Sequence, residues 1–263
     1  MKKFFIALLV VFVLVPALLL VALWRVPASV VPMMLEEAEA RQLLPPDAPR
    51  IKLDDTQGTV WQGQANKSQL TIDGIQLDLG KVSWQLDMAS LLDRQLVLHL
   101  TADAEDHQLK GTVVAANPTQ VSLYKVEGRM PISKLEPWMP MLVKGDIAFV
   151  VDHLEITQQR LTAIDGVLNL EYVDWIGGDR DMPLGSYMAQ IYLQQERVQV
   201  QLNDFAATLG LNGLLSIAPS GNYTFKATLK PRPGLAPEVA ETIGWLGRRA
   251  ASGEVSINKS GRF

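Results

Sequence analysis

From Ile51 to Ile257 the chain alternates apolar and polar residues, and that period of two decides what it can fold into. Ile75-Leu77-Leu79, Val82-Trp84-Leu86, Leu96-Leu98-Leu100, Ile147-Phe149-Val151 and Leu154-Ile156 each place every second residue on one apolar face. Leu168-Leu170-Tyr172, Ile191-Leu193, Val198-Val200-Leu202, Phe205-Ala207-Leu209-Leu211, Tyr223-Phe225-Ala227-Leu229 and Val255-Ile257 continue it. Strict alternation marks strands with one buried and one wet face, whereas a doubly covered parallel sheet needs continuous apolar runs. Turn signals at Asp73-Gly74, Gly177-Gly178 and Pro219-Ser220-Gly221 imply short hairpin connections. The body therefore reads as antiparallel β. Glycine-led segments recur from Gly58, Gly111, Gly128, Gly145, Gly166, Gly213 and Gly253, with Gly111 to Gly166 spaced by 17, 17 and 21 residues. One reading is that glycines merely open strands at tight turns; the one adopted here is a long, strongly twisted sheet of repeated hairpins, without the fixed period of a solenoid.

The N-terminus follows a different rule. Phe4 to Trp24 is uncharged, and as a helix its 21 residues would span about 32 Å, enough for the hydrocarbon core of a bilayer. Pro16 at its centre is tolerated in membrane helices. Lys2 and Lys3 precede the run, while Arg25 and then Glu36, Glu37 and Glu39 follow it. The positive-inside bias puts the N-terminus in the cytoplasm. The expected division is a cytoplasmic end (1–3), a transmembrane helix (4–24), a juxtamembrane stalk (25–50) and an antiparallel β domain (51–263). A second reading stays open: Val26-Pro27-Ala28 offers signal-peptide cleavage after Ala28, although the apolar run exceeds the usual length of such a region. On either reading residues 29–263 leave the cytoplasm.

Leu35–Leu44 reads as a helical turn or two, ended by Pro45-Pro46. Ser133–Leu142 has Ser133 and Glu136 in capping-box spacing. Pro237–Arg249 reads as a helix with Val239, Ile243, Leu246 and Trp245 on its packing face and Arg248-Arg249 complementing its C-terminal dipole. The fold class is mainly β, with one or two short helices after the anchor.

Composition excludes several functions. Of 24 Lys+Arg against 28 Asp+Glu, three basic residues lie at or before position 25, which leaves the body with 21 basic against 28 acidic groups. An acidic body does not suit nucleic acid. At 48% apolar and 20% charged the chain is not disordered, and with no cysteine it has no disulfide framework. The three histidines are scattered. Asp103, Asp106 and His107 are a conceivable metal site, and Asp179 and Asp181 a second carboxylate pair, but solvated turns are the preferred reading for both. No nucleophile elbow, phosphate loop, dinucleotide fingerprint or zinc-protease motif occurs, so neither enzyme activity nor a metal or cofactor is expected. Trp84 falls on the buried phase. Trp138, between two prolines, and Trp175, beside Gly177-Gly178, are the candidate partner contacts.

LDDTQGTVWQGQA (Leu53–Ala65) followed by VSWQL (Val82–Leu86) resembles the N-terminal signature of the type II secretion system protein N family. PISKLEPWMPMLVKGDIAF (Pro131–Phe149) resembles its middle region, and GLLSIAPSGNYTFKATLKP (Gly213–Pro231) and GEVSINKSG (Gly253–Gly261) its C-terminal part. The resemblance implies a single-pass protein of the bacterial inner membrane with a periplasmic β body. It also implies an accessory, non-enzymatic role in moving folded proteins from the periplasm across the outer membrane, with the secretin and inner-membrane platform proteins as partners. The motifs are structural and transfer no catalytic residue. An alternative of another class is an AsmA-like lipid-binding or lipid-transfer protein, whose glycine-led repeats look similar. Lipid transfer requires a continuous unfilled apolar trough, whereas a scaffold fills its inner face with residues such as Trp84, Phe149 and Phe225.

Overall fold

The computed structural model describes residues 25–41, 49–72, 74–117, 119–136, 143–177 and 180–262. The alternation resolves into one antiparallel sheet of 14 strands. These are β1 (Arg50–Gly58), β2 (Gln62–Ile72), β3 (Ile75–Asp87), β4 (Leu96–Asp103), β5 (Gln108–Asn117), β6 (Gln120–Pro131) and β7 (Val143–Thr157). They continue as β8 (Arg160–Trp175), β9 (Met182–Gln194), β10 (Arg197–Ala207), β11 (Leu209–Ile217), β12 (Asn222–Pro231), β13 (Arg248–Arg249) and β14 (Val255–Arg262). Each strand lies beside its predecessor as far as β12; β14 then pairs β12, and the two-residue β13 lies outside it. β1 and β14 do not pair, so the sheet stays open. The 4–24 run lies outside the described residues, and among those described no helix is long and apolar enough to cross a membrane.

The register keeps one face apolar throughout. Ala102 pairs Leu109, which pairs Gly128, then Phe149, Leu168 and Ala189 in turn. Here four glycines count against the reading in which they merely open strands. Gly111, Gly128, Gly166 and Gly213 lie inside strands rather than opening them. A Cβ on Gly128 would stand 2.5 Å from both Leu109 Cδ2 and Phe149 Cζ, so the missing side chain makes room for Phe149.

Phe205-Ala207-Leu209-Leu211 is not one strand. Thr208 divides β10 from β11, and Asp204 and Ala206 pair the adjacent Tyr187 and Ser186, leaving Phe205 as an extra residue. That bulge throws Phe205 outward to 61% exposure. Two tight turns also lack the expected glycine. Gln158-Gln159 joins β7 to β8 and Gln195-Glu196 joins β9 to β10, all four with φ between 51° and 62°. Positive φ at both central residues is the type I′ turn that matches strand twist.

Helices close two corners. α1 (Val30–Ala40) begins earlier than expected, with Pro32 accommodated in its first turn. Ala28 is buried, and Val31 and Leu35 pack with it on Leu53, Ala65, Val82 and Trp84. Ser133 lies within a 3-10 turn at Ile132–Leu135, not at the start of a capped helix, and residues 137–142 lie outside those described. α2 (Pro237–Gly244) buries Val239 and Ile243 against Met130, Ile147, Tyr187, Leu229 and Val255. It stops five residues short of expectation, because Arg248-Arg249 is drawn into β13. Trp245 and Leu246 fall beyond the last turn, and Trp245 is 90% exposed.

Replacing Gln195-Glu196 by Asn-Gly puts at the two left-handed positions the residues that tolerate positive φ best, where Gln and Glu each cost about 1 kcal/mol or more. The double variant should unfold at higher denaturant concentration than the parent with an unchanged m-value.

Candidate interaction surfaces

The two ends of the apolar face differ. At one end α2 and the 3-10 turn lie over it, and Ile132, Ile147, Val239, Ile243 and Val255 are almost fully buried. Toward the other end the row Leu98, Val113, Leu123, Leu154 and Ile164 is only half-buried. Of the three aromatics that test whether the face is filled, Trp84 is 7% exposed, its Nε1–H donating to the Val60 carbonyl at 3.1 Å. Phe149 and Phe225 are half-buried.

The sheet's edges are also unequal. Beside the end of β1, Pro27 bridges to Thr59, and Ala28 N–H donates to the Gly58 carbonyl at 3.0 Å. β14 meets β13 only at Val255 and Ser256. From Ile257 to Arg262 no strand lies on its outer side among the described residues. Unpaired backbone N–H and C=O groups at such an edge are a template for another strand, and exposed Lys259 and Arg262 discourage pairing with a second identical edge.

The opposite face is polar. One row runs Ser83, Thr101, Lys110, Glu127, Val150, Val167 and Gln190. An open depression of about 650 Å³ follows it across β3 to β8. Several of its charges are paired: Lys110 meets Glu127 at 2.8 Å, and Arg129 meets Glu171 at 2.9 Å and Asp146 at 3.3 Å. Lys125 lies 2.9 Å from Asp152, whose hydrogen bond and charge raise the lysine pKa. Paired charges on an open surface supply cross-strand cohesion, not a nucleophile with its base. Among the described residues no group of three His, Cys, Asp or Glu could hold a metal ion.

Trp175 lies at the end of β8, half-buried, with its indole over Gly177 and against the Met182 cluster. Trp138 lies outside the described residues. Asp103, Asp106 and His107 do not converge. Asp103 accepts from Gln108 Nε2 at 3.2 Å, while His107 is 4% exposed and its Nδ1 lies 2.8 Å from Asp106 Oδ1. The expected solvated turn is therefore a packed one. With a carboxylate accepting, Nδ1 must carry the proton. Asp106 also meets Lys134 at 3.0 Å, and the bonds from His107 and Lys134 hold its carboxyl below the usual range. Asp179 lies outside the described residues; Asp181 pairs with Lys144 and raises that lysine's pKa. His99 is exposed on the polar face, as the alternation requires, and contacts Thr112 Oγ1.

Three exposed apolar sites escaped the sequence reading: Tyr172 and Phe205 on bulges, and the β3–β4 turn with Met88, Leu91, Leu92 and Leu96. Bulges reverse the facing of a residue without a marker in the alternation. The turn, by contrast, is visible as MASLL interrupting the period.

A family model described as "Type II secretion system (T2SS), protein N" matches residues 49–258. A relative from Aeromonas hydrophila named "Type II secretion system protein N" is 26% identical over 273 residues, covering 95% of this chain and 98% of the relative. One of the same name from Vibrio cholerae serotype O1 is 22% identical over 224 residues, covering 81% and 85%. No solved structure matches the chain.

The depressed Asp106 pKa sets a pH window. A lowered folded value stabilises at pH above about 4 and is lost as pH falls through that value. Asp106→Asn should melt below the parent at pH 7, and the gap should close under acid conditions in thermal melts.

Proposed function

The chain belongs to the type II secretion system protein N family, and from that premise we propose that it is an accessory, non-enzymatic component of the machine, held in the bacterial inner membrane. Residues 4–24 are the single transmembrane anchor, the N-terminus is cytoplasmic and the β body is periplasmic. The apolar run, its flanking Lys2, Lys3 and Arg25, and the acidic group that follows support this placement. The family match over residues 49–258 carries the assignment to secretion.

The body serves as a docking platform. A strand of the secretin or of an inner-membrane platform protein pairs with Ile257–Arg262 of β14, the edge remote from the anchor in strand order. No catalytic step is invoked.

One observation favours a second reading. At the end that α2 does not reach, the apolar row from Leu98 to Ile164 is only half-buried, the condition expected if acyl chains complete it, as in AsmA-like lipid-handling proteins. Lipid on that face and a strand on the β14 edge would occupy different surfaces.

Deleting residues 49–262 while keeping the anchor should abolish release of exoproteins to the medium, which then accumulate in the periplasm. Normal release from the deletion strain would refute the role.

A further inference from the structure

The β3–β4 turn stands at the sheet end to which the N-terminal segment is joined. Val60 N–H donates to the Val26 carbonyl at 3.0 Å, and Leu86 N–H to the Trp61 carbonyl at 2.7 Å. These bonds link residue 26, through the bend between β1 and β2, to the point where β3 leaves the sheet. That lateral offset is about two strand spacings, roughly 10 Å.

The turn combines features that water alone does not reward. Leu92 is 87% exposed, and Met88, Leu91 and Leu96 are exposed beside it. Part of its backbone is internally bonded: Ala89 N–H donates to Asp87 Oδ1, Leu92 N–H to Ala89, Arg94 N–H to Leu91 and Gln95 N–H to Ser90. Amides bonded in this way lose less on leaving water than free ones, and the outward leucines gain. Asp93 and Arg94 cancel in charge and Asp87 leaves a net of −1, so charge does not draw the turn to an anionic surface and any attraction is apolar. Met33 and Met34, five and six residues after Ala28, add exposed apolar side chains on a second segment near the same junction.

We propose that the β3–β4 turn inserts into the phospholipid surface of the membrane that holds residues 4–24, giving the body a second contact with the bilayer. This rests on the anchor reading above. The run of 21 apolar residues ends at Trp24, which places Val26 at the interface, within the roughly 5–10 Å depth reached by interfacial apolar groups. The second contact orients the sheet on its anchor, so that β14 projects away from the membrane attachment instead of swinging about residue 25.

The full-length chain has no native cysteine, so single cysteines report cleanly. Leu92→Cys and Glu105→Cys are labelled with an environment-sensitive nitrobenzoxadiazole dye and reconstituted in phosphatidylethanolamine–phosphatidylglycerol vesicles. Glu105 is exposed at the opposite end of β4, about 27 Å away along the strand. The Leu92 label should be blue-shifted and quenched by shallow doxyl lipid, in high as in low salt; the Glu105 label should be neither. Changing Leu91 to Ser in the labelled Leu92→Cys protein should weaken insertion about tenfold, as expected for one buried leucine. Vesicle-bound protein with an unquenched Leu92 label overturns the inference and leaves the anchor intact, including if only a partner protein shields the label. Failure of the full-length chain to float with vesicles overturns the anchor reading and the inference with it.

Discussion

One apolar face, carried in register from β1 to β12 and on to β14, is the constraint on which the rest of this structure depends. Side-chain direction in a strand has a period of two, so a one-residue slip anywhere would turn the following strands inside out. The bulges show how the register survives. β6 gains an extra residue at Lys125 and β7 one at Asp152, and the two bulged residues are joined by an ion pair. With an extra residue in each neighbour, Leu123 and Leu154 remain paired on the apolar side. The buried pairs Met130–Ile147 and Leu229–Val255 belong to the same solution.

A meander has two costs. Without closure it leaves an edge at each end, and without a second layer it covers its apolar face only where helices reach. The protein treats these differently. The β1 side is engaged by Pro27, Ala28 and α1, which bind the N-terminal segment into the sheet rather than leaving it as a free tether. The far end of the apolar face is capped by α2, and the end nearer the N-terminal junction is not. An edge open at β14 and a face half-open elsewhere are the surfaces this sheet offers to partners.

The antiparallel sheet was readable because alternation is a direct consequence of burying one face, and the short turn signals implied hairpin connections. What was not readable has identifiable causes. Gln158-Gln159 and Gln195-Glu196 form left-handed turns without Gly or Asn, since sheet pairing on both sides outweighs their local preference. The place of each glycine within its strand is not legible, because a glycine that opens a turn and one that clears space for Phe149 look the same in one dimension. His107 lies in a run of acids and is nonetheless buried, because Lys134 arrives from β6's far end to neutralise Asp106. Trp175 was identifiable as a residue of interest but not as half-buried, because its cover, the Met182 cluster, comes from the next strand.

The central claim, that this body works by offering a strand edge to other secretion components, is tested most directly by photo-crosslinking from that edge in the native cell. A crosslinking amino acid at Asn258 or Ser260 of β14, with matched positions Val113 and Leu154 on the apolar face, separates the surfaces. The account predicts covalent products with the secretin or an inner-membrane platform protein from the β14 positions. Edge positions that yield no protein product, while the apolar face captures phospholipid, would contradict it and assign the protein to lipid handling.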